Sequence, residues 1–184
     1  MLDIDNSERF PLACNAYERA IELSRNHLSK AELADHLNAY YCFLYGNNQF
    51  TKSEAYIEEC VSIRTELCRD HPETYEPDLA VSYNNLAILY SDTLRFRESE
   101  VMHKSAMAIH ERLAKDNPQA YEPSLAQSYN NQAILYYTTH RFKESEAVFL
   151  TALVIHERLA KANPQTYEPD LARSYNNLAA LYSD

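Results

Sequence analysis

Amide side chains are the most suggestive chemistry in this 184-residue chain. Tyr83-Asn84-Asn85, Tyr129-Asn130-Asn131 and Tyr175-Asn176-Asn177 recur at a constant interval of 46 residues. An asparagine inside a helix costs roughly 0.6 kcal/mol relative to alanine, so two in every unit imply a compensating role. A primary amide is both donor and acceptor. It can pair with the backbone of an extended ligand, or reach across to a neighbouring helix and fix its position. Other candidate chemistry is thin. His110-Glu111-Arg112 and His156-Glu157-Arg158 recur, but neither has the second histidine four residues on that a zinc-protease helix requires. They read as surface or packing histidines, and His103 and His110, seven apart on one helix face, are weak support for a metal. A single glycine, Gly46, excludes a glycine-rich phosphate loop, and no serine–histidine–acid set stands out. No catalytic residue, metal or cofactor is therefore assigned, and no enzymatic activity is expected.

The 46-residue interval is set by Tyr75-Glu76-Pro77, Tyr121-Glu122-Pro123 and Tyr167-Glu168-Pro169 as well. A constant period of this size signals a repeat array. Composition agrees with an all-α chain: 46% hydrophobic residues, one glycine and only 7 prolines leave little room for a turn-rich β fold or for disorder. Fifteen tyrosines suit packing seams, with rings buried and hydroxyls wet. A net charge of −10 repels nucleic-acid phosphates and anionic membrane surfaces, so the expected partner is a neutral or basic protein or peptide segment. Cys14, Cys42, Cys60 and Cys68 lack metal or redox spacing and read as small buried apolar side chains. Met1 to Asp5 has neither the basic start nor the apolar run of a signal peptide, and no apolar stretch approaches the roughly 20 residues that span a bilayer. A cytoplasmic location is expected.

Helical periodicity then orders the chain. Phe10, Ala13, Tyr17, Ala20 and Leu23 mark a first helix, with Pro11 fitting only its first turn. Leu37, Tyr40, Tyr41 and Leu44 mark a second, ended by Gly46-Asn47-Asn48. Phe50, Ser53, Ile57, Cys60 and Ile63 mark a third, broken at Asp70-His71-Pro72. From there Glu76-Pro77 and Glu122-Pro123 start helices with buried Tyr83, Leu86, Ala87 and Tyr90, then Tyr129, Gln132, Ala133 and Tyr136. Each is followed by a helix burying Phe96, Ser99, Ala106 and Ile109, then Phe142, Ser145, Phe149, Ala152 and Ile155. Tyr75, Tyr121 and Tyr167 read as linker tyrosines packing between successive pairs. Glu98, Glu100, Lys104, Glu111, Arg112 and Lys115 read as a solvated outer face. A last helix carries Tyr175, Leu178, Ala179, Leu181 and Tyr182. This gives about eight helices in a single array: half repeat 7–28, repeats 31–72, 77–118 and 123–164, and half repeat 169–184. The unpaired helix faces at both ends leave room for end-to-end homo-oligomers, or for the chain to be a piece of a larger signalling or receptor protein.

Counted from Ala80 as position 1, Tyr83, Leu86, Ala87, Tyr90, Ser99, His103 and Ala106 fall at positions 4, 7, 8, 11, 20, 24 and 27. This pattern resembles the tetratricopeptide repeat. Asn-Asn-Leu-Ala-Ile-Leu-Tyr followed by Arg-Phe-Arg-Glu-Ser-Glu is similar to the kinesin-light-chain-type branch. Departures are Tyr41 at the small position 8, Ile57 and His103 at the aromatic position 24, and Ser53, Ser99 and Ser145 at position 20. The resemblance implies a right-handed superhelical solenoid of antiparallel helix pairs. Its first helices would line a concave groove that holds a peptide or protein segment.

On a 100° helical wheel, positions 2, 6, 9 and 13 lie opposite the buried stripe and form the expected groove floor. These are Val81, Asn85, Ile88 and Asp92; Gln127, Asn131, Ile134 and Thr138; and Arg173, Asn177, Ala180 and Asp184. Asp35, Ala39, Cys42 and Gly46 are their counterparts in the first complete repeat. Asn85, Asn131 and Asn177 sit centrally and are the expected ligand contacts. Asn84, Asn130 and Asn176 point sideways and suit a structural ladder or a secondary groove contact. Ile88 and Ile134 offer apolar spots, and Asp92 or Asp35 a place for a basic residue.

Overall fold

The structure, a computed structural model, describes residues 6–183; Met1 to Asp5, and the expected floor position Asp184, lie outside the described residues. Eight helices make up the described chain: α1 (Asn6–His27), α2 (Lys30–Gly46), α3 (Phe50–Asp70), α4 (Pro72–Asp92), α5 (Phe96–Asp116), α6 (Pro118–Thr138), α7 (Phe142–Ala162) and α8 (Pro164–Ser183). They form the antiparallel pairs of an all-α repeat solenoid. Two compact units are distinguishable, one ending at Ser82 and the other starting at Tyr83, inside α4. Among the described residues no helix is long and apolar enough to cross a membrane.

Helix starts differ from the sequence expectation. α4, α6 and α8 begin at Pro72, Pro118 and Pro164, and Pro77, Pro123 and Pro169 lie inside them. The stretch expected as a linker is thus the first turn and a half of a helix. Proline fits N1, where no N–H is needed. The residue before it is held extended, Asn117 at φ −142° and ψ 83°, and Asn117 Oδ1 caps the helix by accepting from Ala120 N at 3.2 Å. Pro123 removes one donor from the ladder; the carbonyl four residues earlier belongs to exposed Gln119, where water can replace it. Tyr121 and Tyr167 therefore pack from helices, against the cluster of Ala114, Leu125, Ala126, Ile155 and Leu159. Pro11 likewise lies inside α1, beyond its first turn.

The turns inside each pair share one geometry. Arg95 N donates to Tyr90 O at 2.7 Å and Arg141 N to Tyr136 O at 2.8 Å, a six-residue closure with the residue just before the donor left-handed. That residue is Leu94 (φ 63°), His140 (φ 58°) or, in the first pair, Asn48 (φ 58°). Gly46 is simply the last residue of α2, so asparagine, not glycine, takes the left-handed position there. In the α4–α5 and α6–α7 turns the arginine that follows lies over the tyrosine it closes on: Arg95 over Tyr90 and Arg141 over Tyr136, both 4.0 Å from the ring centroid.

Serine at position 20 has a physical reason. Ser99 Oγ donates to Ala87 O at 2.7 Å and Ser145 Oγ to Ala133 O at 2.8 Å, each reaching the backbone of the facing helix at its small residue. In the first pair the small residue is replaced by buried Tyr41, and Ser53 Oγ turns to its own helix at Phe50 O, 2.9 Å.

Several burial expectations need correction. α1 buries Cys14, Ile21 and Ser24, while Leu23 is 44% exposed. Phe142 is 43% exposed and packs on the turn, against Tyr137 and His140. Phe96 and Ile109 are half-buried, Cys42 is exposed and Cys68 is half-buried. Tyr175 and Tyr182 are exposed: α8 packs on α7, and no further helix covers it among the described residues. Glu100 is not simply solvated: burial pushes its pKa up, but Lys104 and Arg141 outweigh that and hold it down at about 2.

One core side chain fits poorly. Gln132 is 1% exposed at the register where α4 and α8 place Leu86 and Leu178. Its Nε2 donates to Tyr136 OH at 2.5 Å, but Oε1 has no partner. Gln132→Leu is expected to stabilise the chain by about 1–2 kcal/mol, since a buried unpaired carbonyl is removed. A thermal melt reads this as a rise of a few degrees; a fall would show that the carbonyl has a partner in solution.

Candidate functional site

In the second unit the asparagine pairs are brought to α4, α6 and α8. Asn84 and Asn130 are buried, Asn85, Asn131 and Asn177 half-buried, and Asn176 exposed. Asn84 Nδ2 donates to Ser128 Oγ at 2.7 Å, joining α4 to α6. Its Oδ1 lies 3.1 Å from His103 Nδ1, a bond that requires the ring proton on Nδ1. Ser128 Oγ in turn lies 2.8 Å from His110 Nδ1. Both histidines are 2% exposed, and burial lowers the pKa of each to about 4. They are neutral members of a buried network, not surface groups.

Asn130 is bonded differently, and one exchange explains it. α7 carries Phe149 in register with His103, so Asn130 Oδ1 has no imidazole to face; it accepts from Asn177 Nδ2 at 2.8 Å. Asn177, expected on the floor, is thus tied to its neighbour helix. Asn131 Oδ1 accepts from Gln127 Nε2 at 2.8 Å, and Gln127 Oε1 accepts from Arg173 at 3.3 Å. Arg173 also pairs with Asp170 at 3.1 Å. Ile134, Thr138, Asp92 and Arg173 are exposed and Ile88 half-buried. Val81, on the turn of α4 before Asn85, is 44% exposed. In the first unit Asp35 pairs with buried Arg64 at 2.6 Å, which occupies the carboxylate expected to attract a ligand cation.

Ile88, Ser91 and Asp92 of α4, His103 of α5, and Asn131, Ile134 and Leu135 of α6 line a hollow of about 190 Å³. Expected floor residues of two successive first helices meet there. Its walls are mainly aliphatic, with the Asn131 amide, the Asp92 carboxylate and the His103 imidazole as polar points.

A second polar device was not foreseen as a set. Each junction between pairs carries one contact between position 31 of a second helix and position 3 of the next first helix. These are Ser24 with His36 at 2.6 Å, Arg64 with Ser82 at 2.7 Å, His110 with Ser128 at 2.8 Å and His156 with Ser174 at 2.7 Å. The signal was available: the four pairs stand in register. Among the described residues no group of three or more His, Cys, Asp or Glu side chains is arranged to hold a metal ion.

Comparison with known proteins bears on the fold. No curated protein matches this sequence. BtubC (BKLC) from P. vanneervenii is similar in structure, with a TM-score of 0.70 and 23% identity over 98% of this chain and 67% of its own. So is a Podosopora anserina putative kinesin light chain with nearly identical TPR-like repeats, in a singly substituted form, with a TM-score of 0.69 and 17% identity over 95% and 81%. A further structure of that putative kinesin light chain gives 0.64 and 16% over 96% and 89%. The tetratricopeptide repeat family model matches residues 42–73, 79–119 and 125–165, more than half of the sequence. With the helix pairs and the position-8 alanines already described, this chain belongs to the tetratricopeptide repeat family.

Proposed function

We propose that the chain is a protein-interaction scaffold that holds an extended peptide along the first helices of the second unit. Repeats of this family generally serve as interaction scaffolds and typically not as enzymes. The observation that carries the finer reading is the hollow between Ile88 and Ile134, with Asn131 at its edge. Its volume suits one aliphatic or aromatic side chain, and apolar walls with a few polar points are the usual make-up of a binding site. Asn85 and Asn131 then pair with the peptide backbone, with Gln127, Thr138 and Arg173 flanking. Asn177 closes the far end through its bond to Asn130. The net charge of −10 favours a neutral or basic segment over an acidic one. Four free cysteines suit a reducing, cytoplasmic setting.

Asn85→Ala combined with Asn131→Ala is expected to weaken a display-selected peptide about tenfold or more, the loss of one or two backbone hydrogen bonds. The melting temperature should stay within a few degrees. Unchanged titration calorimetry, or a large drop in melting temperature, would return these amides to a structural role. The exposed apolar face of α8, with Tyr175, Ala179 and Tyr182, favours a second reading in which another helix pair stacks there, in a longer chain or from a second copy.

A further inference from the structure

The outer face of α7 departs from its sister helices. Ala147, Leu150, Thr151 and Val154 follow helical spacing and are all exposed, Leu150 by 43% and Val154 by 64%. One interval earlier, α5 has Lys104 and Ala108 where α7 has Leu150 and Val154; one interval before that, α3 has Glu58 and Ser62. The same register of the same fold therefore tolerates charge and small polar groups. The buried side of α7, through Phe149, Ala152 and Ile155, makes no demand for apolar residues on the outside. A continuous apolar strip on a helix that folds without it points to an intermolecular contact.

The charges around the strip identify the occupant. Lys143 and Glu157 lie seven residues to either side of Leu150, and residues seven apart stay within about 20° of one line along a helix. Both are exposed. A two-fold axis through Leu150 sets the two helices antiparallel, with Leu150 on Leu150 and each Lys143 opposite Glu157 of the other copy. Opposite signs at equal distance from a centre are what a self-complementary, isologous contact requires. Tyr175 OH donates to Glu157 Oε1 at 2.7 Å, and a carboxylate accepts at two oxygens, so the cross-pair does not displace it. We propose that α7 is an antiparallel homodimer contact, formed by the Ala147–Leu150–Val154 strip and closed at both ends by Lys143–Glu157 pairs. The contact lies on second helices, away from the proposed peptide hollow, and does not depend on that reading.

One helix crossing buries far less than the ~1,600 Å² of a stable complex, so association is weak, with Kd about 10–500 μM. Sedimentation velocity from about 5 μM to about 1 mM should show the average mass rising toward twice the chain mass. Leu150→Lys with Val154→Ala gives α7 the residues of α5 and should hold the protein monomeric at about 1 mM, with unchanged helicity and melting temperature. Lys143→Glu should weaken association at least threefold, and adding Glu157→Lys should restore it. A wild-type chain monomeric at every concentration would overturn the proposal. So would association that survives the Leu150→Lys, Val154→Ala change, which would move the contact to another surface such as α8, or a charge swap that fails to restore it.

Discussion

Acidification should strip several kcal/mol of stability from this protein between pH 6.5 and 4, before most carboxylates are protonated. The cause is the pair of buried imidazoles. His103 and His110 have folded pKa values lowered from 6.5 to about 4 by burial. Above pH 6.5 both states hold these rings neutral and the stability is fully present. Below 6.5 the unfolded chain binds protons that the folded chain refuses, so stability falls with pH until about 4, where the folded rings also protonate. A shift of that size is worth up to about 3 kcal/mol per ring. His156 is lowered in the same sense, burial being the largest cause, and adds to the slope. Glu100, held at about 2, loses its contribution between the ordinary carboxylate value and about 2, so the two windows separate. Melting temperatures measured from pH 7.5 to 4.5 check this. His103→Phe gives α5 the residue that α7 carries as Phe149, and should flatten the slope by about half. A melting temperature constant over that window would show that the rings are already protonated or exposed.

Asn84→Ala should cost about 2–3 kcal/mol, more than any exposed asparagine of the set. Its amide links two groups at once: it donates to Ser128 and accepts from His103. Deleting it strands a buried imidazole N–H and takes one donor from a hydroxyl that also faces His110, and each unmet buried group costs roughly 1–3 kcal/mol. The same change at exposed Asn176 should be nearly neutral. Denaturant unfolding of the two variants side by side reads the contrast. Because Asn84 also joins α4 to α6, its loss should loosen the helices that line the hollow. Equal effects of the two substitutions on stability would show that the network carries no particular weight.

Helix number, type and pairing were legible because a 46-residue interval repeats the same stripe, and periodicity is averaged over three copies. Helix starts were not. Two prolines five residues apart, as in Pro118 and Pro123, make two acceptable N1 positions, and only the asparagine cap at Asn117 selects the earlier one. Burial of the histidines was hidden by residue type, although register with Phe149 and Arg64 placed His103 and His110 on the packed face. The inward turn of Asn84 lay in its wheel position; its partners, Ser128 and His103, are 44 and 19 residues away in sequence. Asn130 was unreadable for a subtler reason. It shares its local sequence with Asn84, and what it bonds is decided by a His-to-Phe exchange on another helix.

The position-31 contacts also govern how this gene can change length. His110 meets Ser128 and His156 meets Ser174 through the same pair of atoms, at 2.8 and 2.7 Å. Excising or duplicating one whole 46-residue segment at α6 and α7 would present a histidine to a serine again, and the seam would close. The earlier seam is different: Arg64 holds Ser82, the Asp78 carbonyl and Asp35 together. Recombination that moved a histidine into that place would leave Asp35 without its cation. Growth and shrinkage of the array are thus cheap toward the carboxyl end, where successive seams are interchangeable.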